Sequence, residues 1–282
     1  MSTTRSASGA VSPPAEPVFP PTMAVAGINL RIDLVTNEVV GALREAGVDS
    51  ILLKGPALAR LLYRSSPERP YSDIDLLVSP DDWTRAGEVL TSLGFVGGDP
   101  APGIPHDRAP YGRDWSRLAD ASNIDLHEGL SETTGDRRVA WRYLWEHREA
   151  MDLRGEHVWV LDVPRRAMLI GLHAAHHRGS VTKTLEDLRR AITLLPETAW
   201  AEAADAARTL DCEVVFAAGL RMTEEGAELA GRLGLTDEPW LAGLVLDAGD
   251  YDASQAVALG FERLDEINGL NAKVVFAFRK LF

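Results

Sequence analysis

Cysteine is nearly absent from this chain, with one residue, Cys212, in 282. A lone thiol excludes an internal disulfide and fits a reducing compartment. Lysine is scarce too: of 29 basic residues only Lys54, Lys183, Lys273 and Lys280 are lysine. Basic charge as a whole is short, since 42 acidic residues leave a net charge of −13 and a pI near 5.0. That balance argues against nucleic acid or an anionic membrane as a partner, both of which need a broad basic surface, and leaves room only for a local basic pocket. No apolar run approaches the ~20 residues that span a bilayer, and no apolar stretch follows Arg5 as a signal peptide requires. The expectation is a cytoplasmic protein. What remains is ordinary for a globular chain, with 45% hydrophobic and 25% charged residues and length for one large or two modest domains.

Residues 1–24 are rich in Ser, Thr, Ala and Pro, without apolar periodicity, and read as a disordered tail. Helical spacing begins with Ile28, Ile32, Val35, Val39 and Leu43 and stops before Gly47. Ser50–Leu53 predicts a short buried strand, Pro56 opens a helix, and Tyr71–Val78 predicts a second strand. Ser79-Pro80-Asp81-Asp82 signals a helix reaching about Leu93. A Gly/Pro-rich loop over 97–110 precedes strands near 111–118 and 122–127, a short helix over Val139–Glu146, and a hairpin over 149–161 turning at Arg154-Gly155-Glu156. From Pro164 the apolar spacing is helical, through 165–177, 184–195, 198–210, 213–222, 239–247 and beyond. The layout is a mixed α/β part, 25–162, and a helical part, 163–282.

The chemistry concentrates in Tyr71-Ser72-Asp73-Ile74-Asp75-Leu76-Leu77-Val78. On a strand Asp73 and Asp75 share one face, roughly 6.5–7 Å apart at Cα. Such a pair repels unless a cation lies between the carboxylates, and it suits a hard ion such as Mg²⁺. The plain alternative is a solvated strand end. Asp125 in Ser122-Asn123-Ile124-Asp125-Leu126-His127 supplies a third carboxylate, with His127 on its face, provided this strand lies beside the first. Lys54-Gly55-Pro56 forms a strand-to-helix turn where glycine lets a phosphate approach and Lys54 adds a point charge; a simple turn with a surface lysine is the alternative.

The order Leu53-Lys54-Gly55, Leu62-Tyr63, Arg69, Ser72-Asp73-Ile74-Asp75-Leu76-Leu77-Val78 and Asp125-Leu126-His127 resembles the uncharacterised bacterial nucleotidyltransferases of the DNA polymerase β superfamily. The likeness runs on through His173, His176 and Glu186-Asp187-Leu188 and covers roughly 30–195. It implies an α+β fold, a small mixed β-sheet core with flanking helices followed by a helical C-terminal region that shapes the acceptor pocket. It further implies Asp73, Asp75 and Asp125 as ligands of two Mg²⁺ ions, with Asp125 on the ion that activates the acceptor. Lys54, Gly55, Arg69, Ser72 and His127 would hold the NTP, ATP by expectation, and Asp187 would serve as a general base or orient the acceptor. One departure stands out: the superfamily's Gly-Ser turn is Gly55-Pro56 here, without hydroxyl or N–H.

The implied activity transfers a nucleoside monophosphate from NTP to a hydroxyl and releases pyrophosphate. The acidic chain favours a small-molecule or peptide acceptor. The rival is a non-catalytic nucleotide-binding regulator or toxin–antitoxin partner on the same fold. His173, His176 and His177 read as a pocket-lining helix face rather than a zinc site. Trp141 and Trp145 read as packing, and Cys212 as structural.

Overall fold

The computed structural model describes residues 20–98, 112–133, 135–177 and 181–239, with 242, 243 and 246. Among these, seven strands form one mixed sheet: β1 Ser50–Leu52, β2 Ile74–Val78, β3 Val96–Gly97, β4 Gly112–Arg117, β5 Ser122–His127, β6 Arg148–Leu153 and β7 Glu156–Leu161. Their spatial order is β3-β4-β5-β2-β1-β7-β6. The β2–β5 and β1–β7 pairs are parallel, and the others are antiparallel. The helices are α1 Pro21–Glu45, α2 Pro56–Leu62, α3 Trp83–Ser92, α4 Arg137–Glu146, α5 Val163–His176, α6 Thr182–Leu194, α7 Glu197–Thr209, α8 Glu213–Leu220 and α9 Glu224–Arg232.

The central strands β1 and β2 are buried at every position, which explains their near-continuous apolar sequence. Side chains still alternate between faces. Leu52, Ile74, Leu76 and Val78 pack with Ile32, Val35 and Val39 of α1 and with Leu90 of α3. Ile51, Leu53 and Leu77 pack instead with Leu58, Met168, Leu172 and the helices bearing Trp200 and Phe216. Asp75 lies between Ile74 and Leu76 in β2, so it falls on the second face, beneath the helices that follow β7.

The hairpin forms as its sequence indicates, with Arg154 and Gly155 at φ 57 and 89, the left-handed pair a two-residue turn requires. Two boundaries differ. Helix α1 starts at Pro21, ahead of its apolar spacing, because its first turns are exposed: Met23 is 61% accessible and the first buried residue is Asn29. Strand β2 starts at Ile74 rather than Tyr71, because the Tyr71 N–H donates to Asn29 Oδ1 (3.2 Å) instead of to a neighbouring strand. Helix α9, not resolved by sequence periodicity, is capped by Thr223 Oγ1, which accepts from Gly226 N. Residues 1–19 of the expected tail, most of the 97–110 loop and most of the helix expected from 239 onward lie outside the described residues.

Candidate active site

Strand pairing brings the acidic residues together. Asp75 lies opposite Asp125 across the parallel β2–β5 pair, and Asp114 lies opposite Asp125 across the antiparallel β4–β5 pair. Directly opposed residues share a face of the sheet, so the three carboxylates form a row across three strands. Asp75 is 5% exposed. Its Oδ1 accepts a hydrogen bond from Lys54 Nζ at 2.6 Å and lies 3.7 Å from His127 Nε2, which is 3.0 Å from Asp125 Oδ2. Ligand atoms of Asp75, Asp125 and His127 all fall within 4.8 Å of one another, the one such group among the described residues. Asp73 stands outside that group. It is exposed just ahead of β2, and with Ser72, Asp114, Asn123 and Asp125 it lines a pocket of about 350 Å³.

The electrostatics follow from this crowding. Burial alone would raise the Asp75 pKa, but Lys54 and His127 outweigh it and hold the carboxyl well below its usual range. Burial likewise works against the Lys54 ammonium, and Asp75 more than compensates. Burial disfavours protonated His127, yet the carboxylates of Asp125 and Asp75 raise its pKa to about 9. Attraction is not alignment, however: His127 Nε2 is buried with no acceptor along its N–H direction among the described residues. Asp114 is raised, first by burial and then by Asp125 and Asp73.

The Lys54-Gly55 turn joins β1 to α2. Gly55 holds φ +54, a backbone region that favours glycine, and Pro56 takes the first helical position. The Gly55 carbonyl accepts from Arg69 Nη1 at 3.3 Å. Arg69 and Asp187, expected at the nucleotide and at the acceptor, engage each other. Asp187 accepts from Arg69 Nε at 3.0 Å, from Arg69 Nη2 at 2.7 Å and from Tyr63 Oη at 2.7 Å. Arg69 and Asp187 are 2% and 1% exposed, and neither lines the pocket. Their geometry is that of a clamp between the turn and α6.

Helix α1 supports the same region from behind. Asn29 Nδ2 donates to the Arg69 carbonyl (3.0 Å), and buried Asp33 accepts from Tyr71 Oη (2.7 Å), Arg154 Nε (2.8 Å) and Arg60 Nη2 (3.2 Å). On α5, His173 packs edge-on against His177 with centroids 4.6 Å apart. Burial and then Lys54 push the His173 pKa well down. His176 Nδ1 lies 3.4 Å from Glu132. Trp141 and Trp145 stack at 5.3 Å, and Cys212 is buried.

Three residues escaped the sequence reading. Asp114 could have been found by counting back from the tight turn at 118–121, which sets it across from Asp125. Gly112 is opposite His127, and a Cβ there would stand 2.9 Å from His127 Nδ1 and 3.1 Å from Asp125 Oδ1. Lys183, half-buried in the first turn of α6, lies one turn before Asp187; burial and Arg69 lower its pKa, against the pull of Asp73, Asp187 and Asp75. Only its rarity as a lysine marked it.

A mixed sheet carrying convergent carboxylates on its helix-covered face fits a nucleotidyltransferase. Residues 14–227 match the family described as uncharacterised nucleotidyltransferase, and the chain belongs to it. No curated protein matches in sequence. Among solved structures, the solution structure of the antibiotic-resistance factor ANT(2'')-Ia is 16% identical with a TM-score of 0.45, covering 63% of this chain and 91% of that one. The crystal structure of ANT(2'')-Ia with adenylyl-2''-tobramycin is 16% identical with a TM-score of 0.43, covering 63% and 97%. An antigenic nucleotidyltransferase-like protein from Paracoccidioides brasiliensis is 17% identical with a TM-score of 0.39, covering 64% and 92%. Among the described residues no helix is long and apolar enough to cross a membrane.

Proposed function

We propose that this nucleotidyltransferase uses Mg²⁺ to move a nucleoside monophosphate from an NTP, ATP by expectation, to a hydroxyl of a small molecule or peptide. The acceptor oxygen bonds to the α-phosphorus, the bond from that phosphorus to the bridging oxygen breaks, and pyrophosphate leaves while the hydroxyl loses its proton. The observation that carries this reading is the register of Asp75 against Asp125, with His127 Nε2 between them. The donor set fits a hard divalent cation: two convergent carboxylates, with Asp73 beside the pocket. Asp73, Asp75 and Asp125 would hold two ions. Bound there, the ions would neutralise the phosphates and stabilise both the attacking and the leaving oxygen.

The chain's own groups do the positioning. Asp125 and Asp73 line the pocket and orient an acceptor hydroxyl, with Ser72 at the rim. His127 holds the two opposed carboxylates in place, and Lys54 brings one ammonium to the phosphate side. The test incubates the purified protein with α-labelled NTP, Mg²⁺ and a small-molecule and peptide extract. Label should pass to an acceptor with equimolar pyrophosphate. Label that stays on nucleotide with every NTP and every acceptor fraction would end the proposal.

A further inference from the structure

Lys54 does more than the phosphate role assigned to it above. Its ammonium holds Asp75 Oδ1 at 2.6 Å, and that same oxygen faces His127 Nε2 at 3.7 Å. The side chain of Asp75 is 7% accessible and that of Lys54 is 24%. A carboxylate so deep in the protein is costly without a cation beside it, and breaking a buried pair by removing one partner is strongly unfavourable. The chain, which uses arginine almost everywhere else, has a lysine here. An arginine fork would lock onto the carboxylate through two bonds, whereas an ammonium on a four-carbon stem is a movable point charge.

We infer that Lys54 is an internal counter-cation that competes with the divalent ion for Asp75 and yields it when a triphosphate arrives, so that metal and nucleotide bind as a unit. The inference rests on Asp75 being a metal ligand. A divalent ion aimed at Asp75 meets a positive charge already on that oxygen, so the ion alone binds weakly. A nucleotide chelated to the same ion brings its phosphate oxygens next to Asp75, within reach of the Lys54 stem. The ammonium then exchanges one anionic oxygen for another. Linkage makes the effect reciprocal: the factor by which nucleotide tightens the metal equals the factor by which metal tightens nucleotide. Without nucleotide, Lys54 keeps Asp75 neutralised and the site protected from adventitious cations.

The test reads metal binding, not activity. Free Mn²⁺ is followed by electron paramagnetic resonance during titration of the full-length protein, for the wild type, Lys54→Met and Lys54→Gln. Each is measured alone and with an NTP analogue carrying a non-cleavable α,β linkage. Circular dichroism checks folding, and Lys54→Gln, which still offers Asp75 a hydrogen bond, covers misfolding of the Met variant. Wild type should bind Mn²⁺ weakly alone and about 10–100-fold more tightly with the analogue, the range of an ordinary coupling free energy. The Lys54 variants should bind Mn²⁺ alone about tenfold more tightly than wild type, equivalent to about 1.4 kcal/mol. Folded variants that bind Mn²⁺ alone no better than wild type overturn the inference while leaving the metal reading intact. Wild type that takes up Mn²⁺ neither alone nor with the analogue overturns the metal reading itself, and the inference with it.

Discussion

Two charged clusters flank the Lys54–Gly55 turn and use the same chemistry to opposite ends. On one side Lys54, Asp75, Asp125 and His127 lie beside a pocket that also takes in Asp73 and Asp114. Acidic groups outnumber basic ones there, and Asp114 is held above its usual pKa, first by burial and then by Asp125 and Asp73. On the other side one arginine, Arg69, meets one aspartate, Asp187, in two parallel bonds closed off from water. The first cluster has negative charge left over, which a divalent cation can satisfy. The second is complete in itself. The presence of an Asp or Arg in the sequence does not separate these cases; compensation and access do.

The largest effect expected from that contrast is on transfer. Asp75→Asn should reduce nucleotidyl transfer by roughly a thousandfold or more, the scale seen when a main electrostatic group is removed from an active site. Its fold should survive, because Lys54 and His127 remain able to meet a neutral amide. Quantified label transfer alongside circular dichroism checks both halves, and near-normal transfer by the variant would erase the distinction between the clusters.

In the closed cluster the expected loss is in stability. Asp187→Ala leaves the Arg69 guanidinium buried without its partner and should cost about 3–5 kcal/mol, read from the urea midpoint. Loss of transfer with unchanged stability would instead give Asp187 a direct part in the chemistry. A third variant probes the open cluster from its edge. Gly112→Ala places a Cβ in the space against His127 Nδ1 and Asp125 Oδ1. Displacement of catalytic groups by a fraction of an ångström should slow transfer by about tenfold to a hundredfold with little change in melting temperature. Equal activity would mean that His127 and Asp125 tolerate the shift.

The smallest effect concerns pH. His173 has its pKa lowered well below the usual 6.5, first by burial and then by Lys54. The unfolded chain therefore takes up the proton more readily than the folded one, so this group's contribution to stability is present above about 6.5 and is lost as pH falls through that value toward the folded pKa. Wild type should lose more of its urea midpoint than His173→Gln between about pH 7.5 and about pH 5.5. An identical loss in both would mean that His173 is not held neutral beside the Lys54 cluster.

How much of this was legible in the sequence depended on the kind of constraint. Strands β1 and β2 announced themselves as apolar runs and β5 as an alternating polar and apolar segment, and the Arg154-Gly155 turn marked the hairpin. The pairing of Asp75 with Asp125 was a conditional statement in the sequence, since nothing local says which strands become neighbours. Asp114 was hidden for the same reason, although the tight turn before Ser122 encodes its register. Arg69 and Asp187 lie more than a hundred positions apart, and only three-dimensional packing shows that each saturates the other. Gly112 carries its information as missing volume, which no motif displays. Residues Asn29 and Asp33, which no motif singles out, are buried supports for the segment leading to Asp73.

The central claim is that Asp75 and Asp125 form a divalent-cation site for nucleotide. The most direct measurement is calorimetric titration of NTP into wild type, Asp75→Asn and Asp125→Asn, each with Mg²⁺ and with chelator. Wild type should bind NTP at least about tenfold more tightly with Mg²⁺ than with chelator, a difference of about 1.4 kcal/mol, and both variants should lose that Mg²⁺-dependent gain while remaining folded. NTP binding by wild type that ignores Mg²⁺, or variants that keep the full gain, would contradict the account.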